Sequence, residues 1–227
     1  MNDHSLRRLW EGGRVRQIWP HTTEMDQNDV AAAYAQPPGV RVNFVASADG
    51  SATLAGRSGG LGNATDQQLM QTLRRAADVV LVGAGTVRAE GYDLVRPRMA
   101  IVSRRLDLDP AAFRDAIIVT VAAGPADKRA AFADVAVCGD EQVDVGLMLA
   151  ALRERGLERI LCEGGPHLLG SLEAAGAVDE LCLTLSPVLA GPGGPRITAG
   201  DPAQPQRMRL AHLMTDGELL FTRYVRA

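Results

Sequence analysis

The chain is short of the residues that mark metal and disulfide chemistry. It holds three cysteines and four histidines in 227 residues. Cys138, Cys162 and Cys182 are well separated, and so are His4, His21, His167 and His212. No H-x-E, C-x-x-C or H-x-x-x-H spacing occurs, so no zinc site is expected. An odd number of scattered thiols, two of them inside apolar strand-like runs, reads as inert buried sulfur. A net charge of −3 makes no electrostatic case for nucleic acid or an anionic membrane. The longest apolar runs are far too short to span a bilayer. Near the start, Arg7, Arg8, Glu11 and Arg14 surround only Leu9 and Trp10, which is no signal peptide. The expectation is a cytoplasmic protein without nucleic-acid or membrane partners.

What is present is ordinary for a globular α/β chain: 46% hydrophobic and 22% charged residues. With neither repeat nor linker, residues 1–227 read as a single domain, long enough for a sizeable core. Residues 1–23 are polar around Trp10, Ile18 and Trp19 and read as an arm over the domain or over a partner subunit. Asp26 suits the cap of a short helix over 29–34, ended by Pro37-Pro38-Gly39, so that 1–38 precedes a core over 40–225. Strands are predicted over 40–46, 79–82, 99–102, 117–120, 135–138, 159–162, 178–186 and 219–225. Helices are predicted over 66–77 (capped by Thr65 or Asp66), from Pro125, over 143–155 and from Pro166. Leu147, Leu149 and Leu152 are the expected apolar face of the third. Strands 178–186 and 219–225 have no helix between them, which predicts antiparallel pairing at the end of the sheet.

The stretch from Asp78 to Arg96 organises the rest. Val79-Val80-Leu81-Val82 is the pattern of a strand buried on both faces, hence of a parallel sheet. It breaks into Gly83-Ala84-Gly85-Thr86, where glycines allow a sharp turn and close backbone approach to a ligand. The run G-x-G-x-x-R lacks the third glycine of the usual dinucleotide fingerprint, so a tight turn without a ligand is the other reading. A second glycine turn, Gly164-Gly165, ends the strand 159–162. Parallel strands place both turns on one edge, where two sets of amides can grip a pyrophosphate from either side.

Three further groups fit that reading, each with a plain alternative. Ser103-Arg104-Arg105 begins 20 residues past Gly83 (103 − 83). A hydroxyl and guanidinium there suit the 2′-phosphate of NADP rather than a ribose diol, or form a solvated basic turn. Asp49 ends the apolar strand Val42-Asn43-Phe44-Val45, where a desolvated pocket would raise its pKa and make it an acid, or it forms an Asp-Gly turn. Arg96, Arg88 and Glu90 lie just past the glycine turn; Arg96 suits a bidentate phosphate contact or is a solvated loop charge.

Together these residues resemble the dihydrofolate-reductase-like superfamily, and within it the pyrimidine reductase half of the bifunctional riboflavin-biosynthesis deaminase–reductase. The matches are Asn43 with Ser47-Ala48-Asp49-Gly50, Leu73-Arg74-Arg75-Ala76 running into 78–87, Leu161-Cys162-Glu163-Gly164-Gly165-Pro166, and Val178-Asp179-Glu180-Leu181 into Pro187 and Gly191. The resemblance implies a mostly parallel sheet with an antiparallel closing strand, NADPH as hydride donor, and a homodimer. It assigns the cofactor to Val82, Gly83, Ala84, Gly85, Thr86 and Val87, to Glu163, Gly164, Gly165, Pro166 and Leu168, and to Ser103 and Arg104. It makes Asp49 the catalytic carboxylate and puts Asn43, Ser47, Thr65, Glu90 and Arg96 beside the substrate, Arg96 on its ribosyl phosphate. The implied reaction reduces the ribose of an aminopyrimidine ribosylamine phosphate to a ribityl chain. Ala48, Asn63-Ala64-Thr65 and Glu90-Gly91-Tyr92 depart from the family pattern, all on the substrate side, and the deaminase half is missing. A dihydrofolate or pterin reductase, or a non-catalytic NADP-binding protein, are the other functions such a chain can have.

Overall fold

The computed structural model describes residues 15–92 and 96–227. The segment expected as an arm lies partly outside these, in residues 1–14. Its remainder is not irregular: Val15–Trp19 forms β1 and Thr23–Met25 forms β2, an antiparallel pair. They extend the sheet edge, an outcome their short, mostly polar sequence did not announce. Asp26 caps α1, Gln27–Ala33, accepting from the amides of Asn28 and Asp29 while the Asp29 carboxylate accepts from the Asp26 amide. This reciprocal box satisfies N–H groups that a helix start leaves without partners.

The core alternates strand and helix. Gly39–Ser47 is β3, Ala64–Ala76 is α2, Val79–Gly83 is β4 and Ala84–Glu90 is α3. Arg98–Val102 and Ile117–Thr120 follow as β5 and β6, then α4 at Ala126–Arg129 and β7 at Asp134–Val137. Val145–Arg153 is α5, Arg159–Cys162 is β8 and Pro166–Ala174 is α6. The chain closes with β9, Glu180–Ser186, β10, Met208–Thr215, and β11, Leu220–Arg226. Residues 208–214, which carry no clear sequence pattern, thus form a full strand.

Among the described residues these strands build one 11-stranded sheet in the order β2-β1-β10-β11-β9-β3-β8-β4-β5-β6-β7. From β9 to β7 every pairing is parallel, and from β9 outward through β11, β10 and β1 every pairing is antiparallel. The expected mostly parallel sheet with antiparallel closing strands is what forms. Side chains alternate across β4, whose residues 79–82 are fully buried. Val79 and Leu81 pack with Met148, Leu152 and Leu172 of α5 and α6, whereas Val80 packs with Leu69 and Leu73 of α2. Helices on both faces are why this strand is apolar throughout.

Two local expectations are corrected. Asn63, not Thr65 or Asp66, caps α2: its side chain accepts from the Asp66 amide at 3.1 Å. The helix starts earlier than expected, so Asp66 falls in its first turn with its carboxylate free for other work. In α5 the inward face is Met148, Leu149 and Leu152, and Leu147 is 54% exposed.

Candidate active site

Parallel pairing puts the ends of β3, β4, β5 and β8 on one rim, above which an open cleft of 2670 Å³ is formed. A single small ligand fills about 300–1,000 Å³, so the cleft has room for two side by side. The two glycine turns, 81 residues apart (164 − 83), meet there: the Gly83 amide donates to the Gly164 carbonyl at 2.7 Å. The Gly164–Gly165 peptide is cis. Gly164 has φ +103, and a β-carbon there would come within 3.3 Å of the Phe44 ring. A β-carbon on Gly165 would lie 2.6 Å from the Thr86 hydroxyl oxygen, whereas Gly85 has nothing within 4 Å of that position. The corner is therefore built at backbone thickness, with one glycine bare to the cleft. Helix α6 opens on Gly165 and Pro166 with no side-chain cap, which leaves its first-turn amides for an incoming acceptor.

Basic groups face the same space. Arg75, Arg88, Arg104 and Arg105 line it, and among the described residues neither the Arg104 nor the Arg105 guanidinium has a hydrogen-bonding partner or ion pair. The buried Ser103 hydroxyl oxygen accepts from the Leu106 amide at 3.0 Å, so it shapes the turn that presents them. Amide corner, uncapped helix and unpaired guanidinium groups are the donor set a phosphorylated dinucleotide requires.

The opposite wall is α2. Arg74 forms a two-pronged pair with Glu163, Nε to Oε1 at 2.7 Å and Nη2 to Oε2 at 2.6 Å, and the Tyr92 hydroxyl donates to Oε2 at 2.7 Å. The Arg74 guanidinium also lies 5.6 Å from the Tyr92 ring centre. Burial and then the adjacent Glu163 carboxylate raise the Tyr92 pKa, so its proton stays on. Two turns earlier on α2, Asp66 lines the cleft and accepts from the Thr184 hydroxyl at 2.7 Å. Burial is the largest influence on its carboxyl and pushes the pKa up; Thr184 opposes this and Asp216 adds to it.

The residues expected from sequence divide accordingly. Asn43, Gly83, Ala84, Gly85, Thr86, Glu90, Ser103, Arg104, Glu163, Gly164, Gly165, Pro166 and Leu168 all line the cleft. Val82 and Val87 do not; strand and helix periodicity turns both into the core with Met99 and Ile101. Ser47, Asp49, Thr65 and Arg96 also lie outside its wall. Thr65 is buried in the first turn of α2 and bonded to Asp216, and Arg96 is exposed. The expectation of a desolvated Asp49 with a raised pKa is corrected. Its carboxylate is exposed and accepts from the Ser47 hydroxyl and from the amides of Ala190 (3.1 Å) and Gly191 (2.8 Å). These bonds, the Ser47 one foremost, hold its pKa below the usual value. Glu90 accepts from the Ser58 amide at 2.9 Å and so ties down the glycine loop before α2. Sequence reasoning missed Arg74, Tyr92 and Asp66; the helical spacing of Asp66, Met70 and Arg74 along one face of α2 was the available signal.

A family model described as the RibD C-terminal domain matches residues 38–221. The chain belongs to this family. It is 28% identical over 210 residues to the 2,5-diamino-6-ribosylamino-4(3H)-pyrimidinone 5′-phosphate reductase of Methanothermobacter thermautotrophicus, covering 82% of this chain and 97% of that one. Among solved structures it resembles a pyrimidine reductase-like protein from Corynebacterium diphtheriae, with TM-score 0.77, 26% identity, and 86% and 94% of the two chains covered. It also resembles a diaminohydroxyphosphoribosylaminopyrimidine deaminase/5-amino-6-(5-phosphoribosylamino)uracil reductase from Thermotoga maritima, with TM-score 0.64, 19% identity, and 84% of this chain and 57% of that one covered. The RibD C-terminal domain of this protein is an oxidoreductase of the riboflavin-biosynthesis type, with the dihydrofolate-reductase-like fold. No helix among its described residues is long and apolar enough to cross a membrane.

Proposed function

We propose that the protein is an NADPH-dependent reductase of 2,5-diamino-6-ribosylamino-4(3H)-pyrimidinone 5′-phosphate, the substrate named for its relative, converting the ribosyl group to ribityl. The observation that carries this is the contact between the Gly83 and Gly164 corners on one rim. NADPH supplies the hydride when bound. The corner's amides and the uncapped start of α6 hold the pyrophosphate, and Arg104 takes the additional phosphate. Phe44, whose ring abuts Gly164, and Asn43, on the opposite side of β3, both line the cleft that would take cofactor and substrate. Glu163 keeps Arg74 and Tyr92 in the substrate wall, while Asp49 clamps the loop after β9 to the end of β3. In this reading Asp49 acts by positioning that loop.

The direct test is oxidation of NADPH in the presence of the ribosylamine phosphate, with product mass increased by the elements of dihydrogen. Oxidation with dihydrofolate and none with the ribosylamine phosphate would overturn the reading. Arg104→Ala is expected to raise the KM for NADPH about 10-fold, as loss of a charge-assisted contact does, and to leave the KM for NADH unchanged. Equal effects on both nucleotides would remove Arg104 from the phosphate site.

A further inference from the structure

The names of two relatives define a choice at one ring position. One acts on a 2,5-diamino-pyrimidinone and the other on the corresponding uracil, which carries oxygen in place of the 2-amino group. The pyrimidinone edge offers two adjacent donors, the ring N3–H and the 2-amino group. On uracil the same edge offers one donor beside a carbonyl acceptor. An ionised carboxylate only accepts, through two oxygens whose spacing matches a pair of parallel N–H groups. It therefore fits the first edge and repels the second.

Asp66 is such a carboxylate, held in one orientation. Its Oδ1 takes the Thr184 hydroxyl at 2.7 Å, and Thr184 sits opposite Val45 on the strand pair that ends at the cleft. Among the described residues its Oδ2 accepts no hydrogen bond. That oxygen lies against Gly62, where any side chain would collide, since a β-carbon would come within 2.6 Å of it. Gly62, Asp66 and Met70 all line the cleft, on the wall that also carries Arg74. Asp66 is half-buried with no cationic partner among the described residues, which is costly for a carboxylate, and a ligand that donates twice removes the cost.

We propose that Asp66 reads the N3–H and 2-amino edge of the pyrimidine and so selects the diamino substrate over its uracil counterpart. The inference rests on the pyrimidine-reductase reading above. Sites built to bond a particular polar group reject analogues lacking it by large factors. The wild type should therefore favour the diamino substrate in kcat/KM by about 100-fold.

The test compares wild type and Asp66→Asn on both substrates. An amide presents one donor and one acceptor, which suits the uracil edge, so the preference ratio should collapse by about 30-fold or invert. A general loss of folded protein scales both rates and leaves the ratio alone. An unchanged ratio, or a wild type that prefers uracil, overturns the inference while the pyrimidine-reductase reading stands. A wild type that reduces neither compound overturns both. Should Asp66→Asn fail to fold, the two ribityl products serve as competitive inhibitors of the wild type. The 2-amino product should bind at least about 10-fold tighter, and equal inhibition rejects the role of Asp66.

Discussion

Glu163→Gln should lower the thermal midpoint by about 10 °C and remove most reductase activity. The carboxylate is buried, and it is the partner of a buried guanidinium and a half-buried phenol at once. Removing one member of such a pair leaves the other charge without compensation in a poorly solvated site, a loss of about 3–5 kcal/mol. In a chain of this size that corresponds to roughly 2–4 °C per kcal/mol. Loss of activity follows by a different route. Without the two-pronged grip, Arg74 and Tyr92 lose their fixed place in the wall facing the glycine corner. The double variant Glu163→Leu with Arg74→Met separates the two effects. Apolar residues of similar volume replace the pair, so stability should largely return while activity does not. Calorimetry and turnover on the same samples decide it: recovery of both would mean that the triad only supports the fold.

The second large effect lies on the same face of the sheet, toward the far end of β3. Arg41 is wholly buried and gives Nε to Glu180 at 2.7 Å, and Arg223 gives Nη2 to the other oxygen at 2.6 Å. The remaining Arg41 donors reach the carbonyls of Tyr34 (2.7 Å) and Ala35 (3.2 Å), which pins α1 to β3. Glu180→Gln strands two guanidinium groups at once and should cost about 4 kcal/mol or more, read from the denaturant midpoint. Burial pushes the Glu180 pKa up, but the Arg223 hydrogen bond and the Arg41 charge outweigh it and the net direction is down. A lowered carboxylate contributes stability that is complete above its unfolded value near 4.5 and is lost as pH falls through the lower folded value. His212, which packs edge-on against Tyr34 with ring centres 4.6 Å apart, titrates earlier. Burial depresses its pKa to about 4, so its contribution is complete above pH 6.5 and drains away between there and pH 4. Acid unfolding of the wild type should therefore begin below pH 6.5 and steepen below pH 4.5. Glu180→Gln should keep the first part and flatten the second, leaving the share contributed by Asp134, Asp78 and Asp216, whose partners also hold their pKa values down.

Much of this molecule is legible in the chain itself. Strands such as Val79–Gly83, Ile117–Thr120 and Arg159–Cys162 are short apolar runs between turn residues, and local pattern suffices to find them. The glycine turns were legible for the same reason, because a backbone that must pass within van der Waals reach of another backbone tolerates no side chain. That these turns meet was an inference from parallel pairing, which places all strand ends of one direction on one rim.

What local pattern does not carry is which long-range partner a polar side chain finds. Arg74 meets Glu163 across 89 residues, Arg41 meets Glu180 across 139, and Asp66 meets Thr184 across 118. Nothing near any of these in sequence distinguishes a paired, buried charge from a solvated one. Asp49 shows the converse. Its place at the end of an apolar strand suggested desolvation, yet the loop carrying Ala190 and Gly191 meets it at the exposed surface and supplies donors. The amino-acid order alone determined the alternation of elements, the parallel sheet and the glycine corners, because these follow from periodicity and backbone sterics. Only tertiary structure decided which carboxylates are buried, which are paired and which face the cleft, because solvation and charge pairing are properties of neighbours that folding brings together.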